Sequence, residues 1–485
     1  MAKKSFHYNP KTGKTGICTA VHNCQFGGDM KHFSTEAEAS AEFELTQSSG
    51  VEAFTPEYPI YDNIKFYMDA YEKNWESLQS KFKKSIADED NLSEDDENVL
   101  NASTLEGFKA AVIAKAENDC DDETKKKWFK EFRLINDEFT LAEDNYKAVE
   151  ADLKQLEKDY ADGAASKEQV LNAFEAFKKE SIDLRNVYYD QELAFRRGKE
   201  LGVVPNDGGD ILTRAARRNN VASRKTLKRG VNFEDARRSP EMYRSLISEL
   251  TAWSGLSRDE VKEKLRAYDK DSGMTRDEYV VSLFQNNMDT TRARVFVDIE
   301  TSGLHPTCGE IIEMGIVRMS PDGTTETVNE RYDFINSELR KTLGTGPVSV
   351  HKIESEDLEG KDPITKPEIQ AVLNKHLNDP NAIIVCHNKV FEDTWFNHEV
   401  DGYYESRNFP GDKNPPRIQD TRALAMFLGH SLPNTKLESF SQGNGVPYVD
   451  AHTAIVDAEM TADAFVNFQK KMKESPQGVR PDLSF

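Results

Sequence analysis

Residues 295–304 read VFVDIETSGL. Val295, Phe296, Val297 and Ile299 predict a buried β-strand, because short runs of β-branched and aromatic residues fit a sheet surface. Asp298 and Glu300 interrupt that run with one residue between them. Strand residues i and i+2 point to the same face, so the spacing predicts two carboxylates side by side at a strand end. Each such neighbour disfavours ionisation of the other. Divalent cations remove that penalty, and hard oxygen ligands suit Mg²⁺ or Mn²⁺.

Working outward, strand-like and helix-like stretches alternate from Arg292 onward. EIIEMGIVRMS and ETVNERYDFI read as strands with a PDG turn between them, and EIQAVLNKHLN reads as a helix. AIIVCH follows as a buried strand, VFEDTWFNHEV as a helix, and HTAIVDAEMTADAFVNFQKKM as a long amphipathic closing helix. This order predicts an α/β domain over residues 292–485, with helices on both faces of a sheet. Further acids stand in HNKVFED (387–393) and in AHTAIVDAE (451–459), where His452 precedes Asp457 by five residues. Carboxylates from separate segments meeting at a strand end suit two cations that stabilise the attacking and leaving oxygens of phosphoryl transfer.

VFVDIETSGL, EIIEMGIVRM, VHKIES, VCHNKVFED, IQDTRALAMFL and HTAIVDA, in that order, resemble the DEDD exonuclease superfamily in its histidine subclass. The proofreading epsilon subunit, ribonuclease T and oligoribonuclease belong to that group, and the resemblance covers about residues 292–473. It implies a ribonuclease H-like fold with a mixed central sheet. It also implies metal-dependent 3′→5′ removal of nucleoside monophosphates from single-stranded nucleic acid, with DNA favoured and RNA the nearest rival. Two divalent cations, Mg²⁺ or Mn²⁺, are the implied cofactors. Asp298 is expected to bridge them and Glu300 and Asp457 to complete the ligands. His452 is expected to take the proton of the attacking water, a task suited to a side chain that titrates near neutrality. Thr301, Gly303, Leu304 and Asn388 are expected to hold the terminal nucleotide.

One acidic station departs from the family pattern H-N-x-x-F-D. Register with Phe391 favours Glu392, whereas chemical identity favours Asp393. Successive helical residues point about 100° apart, so one of the two is expected to face the metals.

The 485 residues include 37% apolar and 31% charged side chains and carry a net charge of −22. This balance argues against a non-specific nucleic-acid coat, though not against an enzyme with a local groove. No apolar run reaches the length of a membrane span. The N-terminal MAKKSFHYNP lacks the apolar core of a secretory signal. Five scattered cysteines read as reduced thiols, giving an expectation of a cytoplasmic protein.

Four domains are expected. Residues 1–50 form a small βα unit in which Cys18, His22, Cys24 and His32 lie close in sequence without regular zinc spacing. Residues 51–201 form an acidic helical domain. Within it, apolar positions from Trp128 to Tyr160 step 4-3-4-3, and a second seam runs from Val170 to Tyr188. Gly163 and a Ser166/Gln169 capping box separate the seams, which predicts an antiparallel helical hairpin. The hairpin either packs as core or projects as an arm for self-association or a protein partner. The acidic run 88–98 is expected as a solvated loop.

Residues 202–291 form a basic helical linker domain. The stretch 211–240 holds nine Lys/Arg against two acids, making Arg217, Arg218, Arg224 and Lys228 candidate phosphate contacts. Counted from Asp269 in YDKDSGMTRDEY (268–279), the sixth and twelfth positions, where a calcium loop needs Gly and an acid, hold Met274 and Val280, so a capped helix linker is expected. A non-catalytic nucleic-acid-binding or assembly protein is the rival of another class.

Overall fold

The structure, a computed structural model, describes residues 6–8, 15–17, 76, 79, 80, 83, 92–203, 233–303, 305–343, 345–409, 417–449 and 452–484. The chain divides into two compact units, Met1–Arg133 with Leu201–Pro205, and Leu134–Glu200 with Asn206–Phe485.

In the first unit, β1 (Phe6–Tyr8) pairs antiparallel with β2 (Thr15–Ile17). Helices α1 (Glu94–Asn101) and α2 (Leu105–Asn118) start at Ser93 and Thr104, whose hydroxyls accept from the N–H groups of Asp96 and Gly107. The run expected as a solvated loop therefore turns helical at Glu94. Its cap and four first-turn acids suit the positive end of a helix.

Helices α3 (Glu123–Ala161) and α4 (Lys167–Glu200) form the expected antiparallel hairpin. Gly163 takes φ 77° in the turn. Ser166 N–H donates to Gln169 Oε1 at 2.8 Å, and Gln169 N–H donates to Ser166 Oγ at 3.2 Å. Heptad positions meet across the pair, with ring centroids 4.8 Å apart for Phe139 and Tyr188 and 5.4 Å for Tyr146 and Phe177.

Four short helices follow: α5 (Phe233–Arg238), α6 (Pro240–Ser254), α7 (Arg258–Arg266) and α8 (Arg276–Asn286). Between α7 and α8, Asp269 caps a 3₁₀ turn and Thr275 forms a capping box with Glu278, the helix linker expected there.

The remainder runs β3 (Ala293–Thr301), β4 (Ile311–Met319), β5 (Thr325–Arg331), α9 (Thr345–His351), α10 (Pro367–Leu377) and β6 (Ala382–Cys386). It continues with α11 (Lys389–Glu399), α12 (Tyr403–Asn408), β7 (Arg417–Asp420), α13 (Thr421–Leu428), α14 (Leu437–Gly443) and α15 (Ala454–Glu474). The sheet order is β5-β4-β3-β6-β7. The β3–β4 and β4–β5 pairs are antiparallel, and β3–β6 and β6–β7 are parallel. This mixed five-stranded sheet with flanking helices is the ribonuclease H-like fold.

Alternation along β3 divides the core. Val295, Val297 and Ile299 pack with Leu373, Leu377, Trp395 and Phe396 of α10 and α11. Phe296 faces the other way, against Phe465 of α15, which in turn meets Trp253 of α6. Helices α5, α6 and α8 contribute Phe233, Trp253 and Phe284 to this second core. The described part of the expected linker domain is thus built into the sheet's own hydrophobic layer.

The hairpin also packs on this unit. Phe174 stacks on Tyr404 of α12 at 3.7 Å, and Tyr160 meets Phe409 edge-on at 4.9 Å. Nearer the other end of α4, buried Arg185 pairs with Glu399 at 2.7 Å and Glu310 at 3.5 Å. The described hairpin from Leu134 onward is therefore a packed part of this unit. No helix among the described residues is long and apolar enough to cross a membrane.

Candidate active site

Asp298 and Glu300 alternate with Val297 and Ile299, which places both acids on the Phe296 face of β3, the face α15 covers. Gly315 on β4 lies opposite Asp298. A Cβ at Gly315 would stand 2.3 Å from the carbonyl carbon of Ala454. The missing side chain thus admits the start of α15 against the sheet backbone. Asp457, in the first turn of α15, is carried in by that approach.

Carboxylate oxygens of Asp298, Glu300 and Asp457 lie within 4.8 Å of one another. Burial, then the charges of Asp457, Glu392 and Glu300, pushes the Asp298 carboxyl well above the usual carboxylate range. Burial and the Asp457 and Glu313 charges push Glu300 up to about 8. Burial also raises Asp457, partly offset by the His452 N–H, which donates to Asp457 Oδ2 at 3.2 Å. His452 itself is exposed, at φ 75°, just before α15.

Glu392 and Asp393 part company in the first turn of α11. Glu392 is buried, its Oε2 has no hydrogen-bond partner among the described residues, and its charge acts on Asp298. Asp393 instead accepts from Arg407 Nε at 2.6 Å and from the Tyr403 hydroxyl at 3.0 Å. Asp457 Oδ1 is likewise buried without a partner among the described residues. Clustered carboxylates with raised pKa values and unpartnered buried oxygens fit hard divalent cations, which would hold them ionised.

Residues 295–465 match the family model described as Exonuclease, RNase_T. This segment is a DEDD-superfamily exonuclease domain. The chain is 29% identical over 168 residues to the PolC-type DNA polymerase III of Halalkalibacterium halodurans, covering 34% of this chain and 11% of that protein. It is 31% identical over 182 residues to the PolC-type enzyme of Thermotoga petrophila, covering 37% and 12%. The chain thus spans about a tenth of the length of these curated relatives. Among solved structures, E. coli exonuclease I in complex with a dT13 oligonucleotide is similar at 19% identity and TM-score 0.31, over 38% of this chain and 42% of that one.

Within the exonuclease domain, Thr301 turns its hydroxyl onto the Gly303 carbonyl at 2.5 Å, and both residues are buried. Asn388 caps the start of α11, and its side-chain oxygen accepts from Arg422 Nη1 at 3.1 Å. Leu304, Arg217, Arg218, Arg224, Lys228, Cys18, His22, Cys24 and His32 lie outside the described residues.

Several residues of the exonuclease domain's site escape a reading by motif alone. Glu313 lies opposite Glu300 on β4. Its Oε2 accepts from Ala454 N–H at 2.8 Å, and its Oε1 from Arg331 Nε at 2.8 Å. It therefore ties the start of α15 to the sheet. An acid inside the apolar run EIIEMG was the available signal. Tyr448 is half-buried, and after burial the charges of Asp457, Glu438, Asp298 and Glu300 raise its hydroxyl pKa. Buried Glu249 of α6 pairs with Lys389 and accepts from Asp420 N–H at 2.9 Å. No local pattern pointed to that contact.

Proposed function

We propose that the chain is a metal-dependent 3′→5′ exonuclease that shortens single-stranded nucleic acid, DNA in preference to RNA, and releases nucleoside 5′-monophosphates. The observation that carries this reading is the meeting of Asp298, Glu300 and Asp457, with ligand oxygens within 4.8 Å, inside an exonuclease-family domain. DNA is favoured because the curated relatives are DNA polymerases.

Asp298, Glu300, Asp457 and Glu392 would hold two divalent cations, Mg²⁺ or Mn²⁺. When bound, these cations neutralise the clustered acids and stabilise charge on the attacking and leaving oxygens. His452 accepts the proton of the attacking water, and its exposed position before α15 gives that proton a route to solvent. Thr301, Gly303, Leu304 and Asn388 seat the terminal nucleotide. Asp393 stays with Arg407 and Tyr403 and orients α11. Arg217, Arg218, Arg224 and Lys228 contact backbone phosphates farther along the strand.

The test incubates the full chain with 5′-labelled single-stranded DNA and RNA in Mg²⁺, Mn²⁺ or EDTA, beside Asp298→Ala. A metal-dependent ladder shortening from the 3′ end, absent in the variant, is expected, with DNA cut faster. RNA cut faster would make the chain an exoribonuclease. No cleavage of either polymer under any metal would leave a nucleic-acid-binding or assembly protein.

A further inference from the structure

Among the described residues, Lys389, Arg407 and Arg422 stand around the first half of α11, and the first two are paired. Lys389 pairs with buried Glu249 and donates to Ser248 Oγ at 3.0 Å. Arg407 pairs with Asp393. Arg422, half-buried in the first turn of α13, makes no ion pair among the described residues. Asp420, two residues before it, accepts from its backbone N–H at 2.9 Å, not from its guanidinium.

Among the described residues, the one side-chain hydrogen bond of Arg422 goes to Asn388 Oδ1. That bond turns the amide oxygen toward Arg422, and the Asn388 NH₂ group remains a donor without a partner among the described residues. A half-buried guanidinium and a free amide donor thus sit side by side at the start of α11. Arg422 is bonded to the N-cap residue of α11, the helix that carries Glu392 in its first turn, whereas Asp298, Glu300 and Asp457 meet between β3 and the start of α15.

We propose that Arg422, positioned by Asn388, forms a subsite for a non-scissile phosphodiester, the first one upstream of the bond that is cut. This inference rests on the exonuclease reading above. The cations that Asp298, Glu300 and Asp457 would hold would neutralise the scissile phosphate. The next phosphate has no such cations, and among four carboxylates it requires a fixed positive charge. A planar guanidinium with open N–H edges supplies charge-assisted hydrogen bonds to that group.

The experiment compares two substrates of the full-length protein. One is a 5′-labelled oligodeoxynucleotide. The other is the p-nitrophenyl ester of thymidine 5′-monophosphate, which carries the scissile phosphate and no second one. Arg422→Met is expected to raise KM for the oligonucleotide about 10- to 100-fold, the range of one charge-assisted contact. It is expected to leave the ester's kcat/KM within about threefold, and Arg422→Lys is expected to recover part of the loss. A single neutral methylphosphonate at the penultimate linkage is expected to slow the wild type and not Arg422→Met.

Equal losses on both substrates, no loss on either, or equal sensitivity of both proteins to the methylphosphonate would overturn the subsite. A wild type inert toward both substrates would sink the exonuclease reading instead. The contact is then read by titrating a fluorescent oligonucleotide in EDTA. Arg422→Met is expected to weaken binding and to lower the salt slope by about 0.7, and an unchanged slope would reject it.

Discussion

Glu300 shows at the scale of one residue why the acidic cluster and its cations belong together. Its folded-state pKa of about 8 exceeds the 4.5 of a free glutamate. The folded chain therefore holds that proton more tightly than the unfolded chain. This contribution to stability is complete below pH 4.5 and is lost as the pH rises through about 8. Thermal melts in EDTA are expected to show a falling Tm between about pH 5 and 8, and Mn²⁺ is expected to raise Tm most at the alkaline end. A Glu300→Gln protein whose metal-free Tm fell just as steeply would contradict this account. The two adjacent acids of α11 separate in the same way. Glu392→Gln is expected to cut kcat by about two orders of magnitude or more, the scale of a lost site charge. Asp393→Asn, which loosens only the Arg407 and Tyr403 contacts, is expected to change it less than about threefold. Steady-state rates on one oligonucleotide decide between them.

Elements meet here through backbone approach as much as through side chains. Gly315 on β4 leaves the space through which Ala454 and the start of α15 reach the sheet. Glu313, two residues earlier, holds the Ala454 N–H. Gly315→Ala puts a methyl group against backbone atoms that have no rotamer to escape into. It is expected to cost about 1–3 kcal/mol, the usual range for overpacking, and to move Asp457 and His452 away from β3. Urea melts give the first quantity, and the nuclease assay gives the second. A variant with wild-type stability and wild-type rate would show that α15 needs no such gap. The period-two run of β3 and the heptads of α3 and α4 could be read in the sequence because each records the geometry of one element. The Ser166/Gln169 cap was legible for the same reason, its partners being three residues apart. The start of α1 inside an acidic run departs from the expected loop, because the Ser93 cap and the helix's positive end outweigh the repulsion among the acids.

At the scale of the whole molecule, the unit comprising Leu134–Glu200 and Asn206–Phe485 has buried ties between distant segments. Arg185 of the hairpin donates to the Gly309 carbonyl at 3.2 Å and pairs with Glu310 and Glu399. Arg185→Met would leave two acids buried without their cation. It is expected to destabilise this unit by about 3–5 kcal/mol. The loss is expected in one transition that melts hairpin and exonuclease domain together. Limited proteolysis that frees an intact nuclease core from the variant would show the hairpin to be a separate body.

The sequence by itself determined the Asp298/Glu300 pair, the order of the acidic stations, the hairpin and the α/β class. These follow from periodicity, capping and motif order within short stretches of chain. Only the tertiary structure decided that Glu392 faces the acids while Asp393 turns to Arg407. Only it showed that α5, α6 and α8 are part of the sheet's core, and that Arg422 makes no ion pair among the described residues. Each of these outcomes depends on which side chains arrive from tens to hundreds of residues away. Burial and pairing at such distances are properties of the packed chain, and no local pattern encodes them.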